Sequence, residues 1–473
     1  MSMCRVLALG LLASLVPAAV FAQKTAERPK AVILLIGDGF GFSHLAFTRN
    51  LLYDGKRLAL ESLPVTSFVT TWSASNRVTD SGAASTAFSA SVKTDNKYVG
   101  CQVQPEADRR LEVPTIADLA KEKGWKVGYV TTTRITHATP ASFYGHAHRD
   151  NEELLALQLL GKRPDVALGG GLDFFRPAPP EGQKPDATSG RRKDGRNLLR
   201  ELREEGKTFV VTSAEELNEP APDGPVLGLF AKSHLSFVLD RDDEPADKQA
   251  PTLARMTRYA LDTLGRGDGP FFLLVEGGRI DHAAHEFDAA GVAAEAQEFD
   301  RAFEVVRDYQ RANPGTLVVL TADHSTGGLA INDYVDWEGL KKQKASLSTL
   351  VARLKEGGGA YAAELLREQT GYCCFGKDTQ TLLALPIDDA KRFLGTKLTE
   401  HNGVSWVPWV NGNTWGHTGE DVPLFAGGPG AERFQGVLDN TEIPARIAEL
   451  LGWPWPAAPA DNPASGCYAN PPF

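Results

Sequence analysis

A chain of 473 residues, 42% hydrophobic and 23% charged, has an ordinary globular composition and enough length to bury a large core. Its formal charge of −10 argues against nucleic acid or an anionic membrane as a main partner. Attraction for an anionic ligand must then be local, from bound metal or particular arginines.

Residues 1–22 read as a signal peptide. Arg5 supplies a short positive region, Val6 to Val20 is apolar but broken by Pro17, and Val20-Phe21-Ala22 suits cleavage before Gln23. The stretch is shorter than the ~20 apolar residues of a spanning helix, and no later segment is long and apolar enough. Residues 23–473 are therefore expected to be soluble and exported, periplasmic or secreted. Loss of Arg5 moves the charge from −10 to −11, and loss of Cys4 leaves Cys101, Cys373, Cys374 and Cys467. Four cysteines in an oxidising compartment allow up to two disulfides, with three possible connectivities.

Along the chain, Ala31–Ile36, Lys126–Thr131, Val166–Leu168, Thr208–Val211, Phe271–Val275 and Thr316–Leu320 are short continuous apolar runs, the signature of buried parallel strands. Helical patterns fall between them at Thr115–Lys123, Asp194–Glu205, Thr252–Leu264 and Ala289–Ala312. This alternation predicts an α/β fold, a large open and mostly parallel sheet with helices on both faces. Residues from about 335 to 410 differ. Trp337–Leu354 and Ala360–Gln369 look like amphipathic helices joined by Gly357-Gly358-Gly359, and Ser405–Trp415 is tryptophan-rich. This segment lies between two of the motifs below and reads as an insertion, crown-like, over the active-site edge. Residues 177–195 read as an exposed loop, and the tail from Trp453 as irregular.

Asp38, Thr139, Glu276 and Asp323-His324 each follow a predicted strand, at the carboxyl edge where open α/β sheets build their sites. Asp281 and His285 are four apart, so one helical face presents both to a metal. His417 completes a three-ligand set with an open fourth position, as catalytic zinc requires. Asp38, Asp323 and His324 form a second set, which an ionised Ser81 could join. Asp38, Glu276 and Thr139 form a third, all oxygen and suited to magnesium. Asp38 would bridge two ions. Ser81 follows the N-cap candidate Asp80 and starts a helix of small residues, where helix polarity favours a phosphate by about 0.3–1 kcal/mol. Its hydroxyl is a poor nucleophile until a metal or base lowers its pKa. Arg149 offers a fork for two phosphate oxygens. Taken singly these are common turn, cap and surface sequences, and Arg149 beside Asp150 reads equally as a surface ion pair. Occurring together they point to a metal-assisted hydrolase acting on phosphate. His44, His146, His148, His234 and His401 have no partner in this scheme and read as structural.

The chain resembles the alkaline phosphatase family from about residue 31 to 455. Gly37-Asp38-Gly39, Thr79-Asp80-Ser81-Gly82, Val92-Lys93-Thr94, His137-Ala138-Thr139-Pro140, Val275–His285, Thr321–His324 and Gly416–Asp421 carry the resemblance. It implies that 23–473 is a catalytic domain hydrolysing phosphate monoesters through a phosphoserine at Ser81, with Arg149 on the phosphate. It also implies two zinc ions, one on Asp281, His285 and His417 and one on Asp38, Asp323 and His324, with one magnesium ion on Asp38, Thr139 and Glu276. A homodimer is implied as well. His137 and His282 stand near the metals, as in animal enzymes, where the best-known bacterial pattern has Asp and Lys. Calcium is not expected, because Ala231 follows Leu229-Phe230 where an acidic residue would stand. Competing readings are a phosphodiesterase or sulfate-ester hydrolase of the same superfamily, or a non-catalytic phosphate-binding protein. Ser81-Gly82-Ala83 lacks the sulfatase signature, a diesterase would dispense with Glu276 and Thr139, and a binding protein would have lost ligands.

Overall fold

A computed structural model describes residues 28–456, apart from 105–108, 187, 221, 246–248, 358, 373–375 and 408–415, together with Cys467. The expected leader, with its cleavage point at Ala22, and Cys373 and Cys374 lie outside the described residues, as does most of the tryptophan-rich run. No helix among the described residues is long and apolar enough to cross a membrane.

A ten-stranded sheet forms the centre. In spatial order it runs Val437–Asp439, Val65–Thr70, Val422–Gly427, Thr316–Ala322, Ala31–Gly37, Phe271–Gly277, Lys126–Arg134, Val166–Gly170, Val226–Leu229 and Phe209–Val211. Only Val422–Gly427 opposes the rest, pairing antiparallel on both sides. The three middle strands are buried at every position, as their unbroken apolar runs require. Helix Ala289–Ala312 packs across them, and its Phe299 ring meets Phe40 edge-on at 6.2 Å. All six expected strands exist, extended by one to three residues toward the functional edge except Phe209–Val211. Four further strands were not expected: Val65–Thr70, Val226–Leu229, Val422–Gly427 and Val437–Asp439.

The segment after residue 335 folds into five helices, Trp337–Leu340, Leu347–Gly357, Gly359–Thr370, Gly376–Ala384 and Ile387–His401. The expected continuous helix over 337–354 is thus broken. The Ser346 hydroxyl accepts the amide of Thr349 at 3.1 Å, so a new helix is capped there. These helices bury their own apolar cluster, including Leu350, Leu354, Leu366 and Leu394, separate from the main core. Polar anchors dock it. Asp288 accepts the Leu347 amide at 2.9 Å and Gln343 Nε2 at 2.7 Å, while Asp240 accepts the Ser346 amide at 2.8 Å. One disulfide joins Cys101 to Cys467, 366 residues apart, which settles that half of the pairing.

Burial pushes the Asp288 carboxyl up to about 7, against hydrogen bonds from Leu347, Gly291 and Gln343. Replacing Asp288 by Ala orphans the buried Leu347 amide, a loss of about 1–3 kcal/mol. Hydrogen exchange in Leu347–Gly357 should accelerate while exchange in Ala31–Gly37 stays unchanged; equal acceleration in both would show that the insertion has no docking energy of its own.

Candidate active site

Strand register sets the site. Gly37 lies level with Gly277 on one side and Ala322 on the other, so Asp38 and Asp323 leave the sheet side by side with Glu276 one position behind. Gly39 follows in the left-handed region at φ +70°, where a Cβ would lie 2.8 Å from Thr326 Oγ1 and 3.0 Å from the Asp281 backbone. Its amide donates to Asp323 Oδ1 at 3.0 Å. Helix Arg279–His285 begins directly after Phe271–Gly277 and places Asp281 and His285 together, 3.2 Å apart. His417 arrives by another route: the two-residue strand His417–Thr418 pairs with Ser325–Thr326, which sets His417 opposite Thr326.

Three groups of potential ligands result, each with its ligand atoms within 4.8 Å of one another: Asp281, His324 and His417; Asp38, Asp323 and His324; and Asp38, His137 and Glu276. His285 adjoins the first, with its Nε2 3.1 Å from His417 Nε2. His324 therefore stands between two groups that the sequence reading kept apart, its ring stacked 3.7 Å from that of His417. Likewise His137 enters the group expected to consist of Asp38, Glu276 and Thr139.

Surrounding hydrogen bonds set the histidine tautomers. His417 Nδ1 lies 2.9 Å from the Thr79 carbonyl, which only accepts, so Nδ1 carries the proton and Nε2 keeps its lone pair. Thr326 donates its hydroxyl to Asp281 at 2.6 Å and faces His324 Nδ1 at 3.2 Å. Its oxygen then accepts from that Nδ1–H, again freeing Nε2. Both imidazoles present a ligand atom inward, and Thr326 is a positioning residue that the sequence pattern did not reveal.

The fit to cations is tested by what the protein leaves unsatisfied. Both Asp38 oxygens, Asp323 Oδ2, Glu276 Oε1 and Thr139 Oγ1 are buried without a hydrogen-bond partner. Buried polar atoms are rarely left so, and five at one edge suit divalent ions. Burial, then the neighbouring carboxylates Asp323, Asp281 and Glu276, holds Asp38 well above the usual carboxylate range. Burial raises Asp323 to about 8 and Glu276 to about 7. Burial also works against ionisation of Asp281, yet the imidazoles of His285, His417 and His324 hold it well below the ordinary value. Burial takes His417 down to about 4 and His324 well below its ordinary value. Both therefore stay neutral, as metal ligands must.

Ser81 is the first residue of helix Ser81–Ala90, and Asp80 caps that helix by accepting the Ala83 amide at 2.9 Å. Ser81 Oγ lies 3.2 Å from His324 Nε2. Arg149 is neither a surface residue nor an idle fork: Nη1 pairs with Asp80 at 2.9 Å and Nη2 donates to His137 Nε2 at 3.0 Å. A cavity of about 340 Å³ connects these groups, with Ser81, Arg149, His137, Asp281, His285 and His417 on its wall. Lys97 and Asp150 also line it and were not foreseen. A larger cavity, about 470 Å³, lies between helices Glu152–Lys162 and Leu198–Glu205 and contains none of these residues.

Thr139 lies in the short helix Ala138–Ala141, and His282 lies beside His137 with ring centres 5.4 Å apart. His234, read as structural, sits 4.3 Å from His282 and 5.3 Å from His137 and so belongs to this cluster. His44 is fully buried, and His146 Nδ1 meets the Gly100 carbonyl at 2.8 Å; neither lines the catalytic cavity.

Comparison with known proteins agrees with this geometry. The alkaline phosphatase family model matches residues 29–453. Alkaline phosphatase 3 of Bacillus subtilis is 34% identical, with 89% of each chain covered. The crystal structure of Thermus thermophilus alkaline phosphatase superposes with a TM-score of 0.77 at 28% identity, over 90% of this chain and 92% of that one. A mutant alkaline phosphatase of TAB5, solved with magnesium bound, superposes at 0.65 with 25% identity, over 91% of this chain and 99% of that one. With its motifs gathered at one sheet edge and its family matched over nearly all the described residues, the chain belongs to the alkaline phosphatase family and is a phosphate monoesterase.

Proposed function

We propose that the enzyme hydrolyses phosphate monoesters through a phosphoserine on Ser81, with two zinc ions and one magnesium ion at the sheet edge. The observation that carries this reading is Ser81 Oγ, 3.2 Å from His324 Nε2 at the head of a helix, beside buried oxygens without partners. Asp281, His285 and His417 would hold one zinc, Asp38, Asp323 and His324 the other, and Asp38, Thr139 and Glu276 the magnesium. Bound there, the ions would supply Lewis-acid polarisation of phosphoryl oxygen and help ionise hydroxyl groups.

The chain's own residues do the rest. Ser81 Oγ forms the bond to phosphorus as the bond to the alcohol oxygen breaks in line, and the alcohol takes up a proton. Water then attacks the phosphoserine, the phosphorus–Oγ bond breaks, and Ser81 recovers its proton. Arg149, held rigid by Asp80 and His137, grips non-bridging oxygens in both steps, and the Ser81–Ala90 helix start favours their charge. His137, grouped with Asp38 and Glu276, and His282 beside it would border a magnesium ion held there and order its water.

Export from the cytoplasm, with removal of residues 1–22, is supported by the Cys101–Cys467 disulfide, since such bonds persist in oxidising compartments. A homodimer is supported by an apolar patch at the sheet edge. Val437 is 67% exposed beside its strand partner Phe68 at 48%, with Trp72 at 42% and the Phe42 ring 5.4 Å from Phe68. Such a patch at an edge strand invites a second copy.

Purified enzyme should release phosphate from an aryl phosphate and lose this with exhaustive chelation; unaltered turnover after metal removal would sink the metal mechanism. Ser81→Ala should fold, bind phosphate and show no phosphoenzyme burst, with kcat down by at least about 10³-fold; a retained burst moves the nucleophile elsewhere. The metal-free protein has carboxyls raised to about 8 at Asp323 and about 7 at Glu276, above an unfolded value of roughly 4. Their protonated forms favour the fold, so stability should be greatest below pH ~4 with respect to these groups and fall as pH rises toward 8. Adding zinc and magnesium should reverse that fall and release protons, read by calorimetry in two buffers; loading without proton release would contradict the raised carboxyls. Phe68→Glu should convert a dimer to a monomer in sedimentation, and a dimer that tolerates it places the contact on another face.

A further inference from the structure

We propose that a second cavity beside the catalytic one is a subsite for an oxyanion, a carboxylate or further phosphate, carried by the alcohol portion of the substrate, with Arg279 as its main ligand. The proposal rests on the phosphomonoesterase reading and adds a substrate class to it.

The cavity, about 310 Å³, shares His282 and His285 with the catalytic cavity, whereas Ser81 lines only the latter. It is therefore reached past the two histidines, away from the nucleophile. In-line displacement expels the alcohol opposite the attacking oxygen, so groups attached to that alcohol are carried away from Ser81 and into this space. Its far wall comes from the insertion, through Lys391 and Arg392 on helix Ile387–His401. Its near wall is Arg279 at the start of the helix that bears Asp281 and His285.

Charge decides what the cavity accepts. Glu286 and Asp388 also line the cavity, but both are spent on Lys391, at 2.9 Å and 3.3 Å, and Arg392 pairs with Asp389 at 2.6 Å. Arg279 differs. Its guanidinium lies 3.6 Å above the Phe237 ring and donates Nη1 to His282 Nδ1 at 2.8 Å, and its Nε is buried with no partner. No carboxylate forms an ion pair with it among the described residues. Glu295, Glu286 and Asp240 act on it only from beyond ion-pair distance. A guanidinium held flat by an aromatic face is ready for a planar oxyanion without further loss of freedom.

The test compares kcat/KM for phenyl phosphate, 4-carboxyphenyl phosphate and 1,4-phenylene bisphosphate on the metal-loaded enzyme. The anion-bearing esters should be preferred by roughly tenfold, and the preference should shrink with added salt. Arg279→Met should remove the preference, and Arg279→Lys should restore part of it. Preference for just one of the two anionic esters supports the subsite and identifies its anion. Wild-type enzyme showing no preference, or Arg279→Met lowering all three substrates equally, overturns the subsite even if phenyl phosphate is cleaved well. Absence of phenyl phosphate turnover would instead refute the phosphatase reading. Should Arg279→Met fail to fold, the salt-dependent preference of the wild-type enzyme still decides the matter.

Discussion

Four carboxylates crowded at one buried sheet edge are the constraint on which everything else in this enzyme depends. Asp38, Glu276, Asp281 and Asp323 are all 4% exposed or less, and Asp38 is raised by each of the other three. Two unit charges ~5 Å apart repel by about 3 kcal/mol even at an effective dielectric near 20. Backbone amides relieve little of this, since Gly39 and His324 both donate to the same oxygen of Asp323. Arg149 is the cation that acts on Asp38 and Glu276, and it is already tied to Asp80. A folded chain keeps such a cluster only if its protons, or cations, supply the missing charge. In a chain with a net charge of −10, attraction for an anion would then depend on cations held at this edge.

Holding these groups close requires a rigid frame, and the frame is what the sequence showed most clearly. Ala31–Gly37, Phe271–Gly277 and Thr316–Ala322 are apolar without interruption because both faces are covered, and that pattern admits few alternatives. The strands that escaped notice have physical reasons for doing so. Val65–Thr70 alternates buried and exposed positions and exposes Phe68, so it reads as a surface segment. Val422–Gly427 contains Pro423, which weakens any strand reading, yet it is the single antiparallel member and carries the chain back from His417. Val226–Leu229 and Val437–Asp439 are too short for periodicity to register.

Site residues divide in a similar way. Asp281 and His285 were legible because helical spacing alone puts them together, and Asp38 and Asp323 because they end buried strands. The sharing of His324 between two groups was not, since it depends on a ring stacked on His417 from a two-residue strand pairing almost a hundred residues later. Thr326 and His234 act through contacts that no local spacing encodes. Arg149 was read as a phosphate ligand or as the partner of its neighbour Asp150, and nothing in the local sequence signalled its ion pair with Asp80. Asp80 is the true partner, 69 residues earlier, brought close because Tyr98–Val99 pairs with Ala147–His148.

The helices between Trp337 and His401 form a unit of their own beside the sheet edge. Its helices have their own apolar cluster, so substitutions there can repack without disturbing the sheet edge. Their anchors are nevertheless attached to the catalytic helix: Glu286 follows His285 directly and binds Ser348 at 2.7 Å and Lys391 at 2.9 Å, and Asp288 binds the start of Leu347–Gly357. A shift of these helices therefore bears on the residues next to His285. The sheet edge, crowded and highly constrained, has little freedom to vary. Under the subsite proposed above, discrimination between esters would fall to the second cavity, where Arg279 of the catalytic helix shares the wall with Lys391 and Arg392.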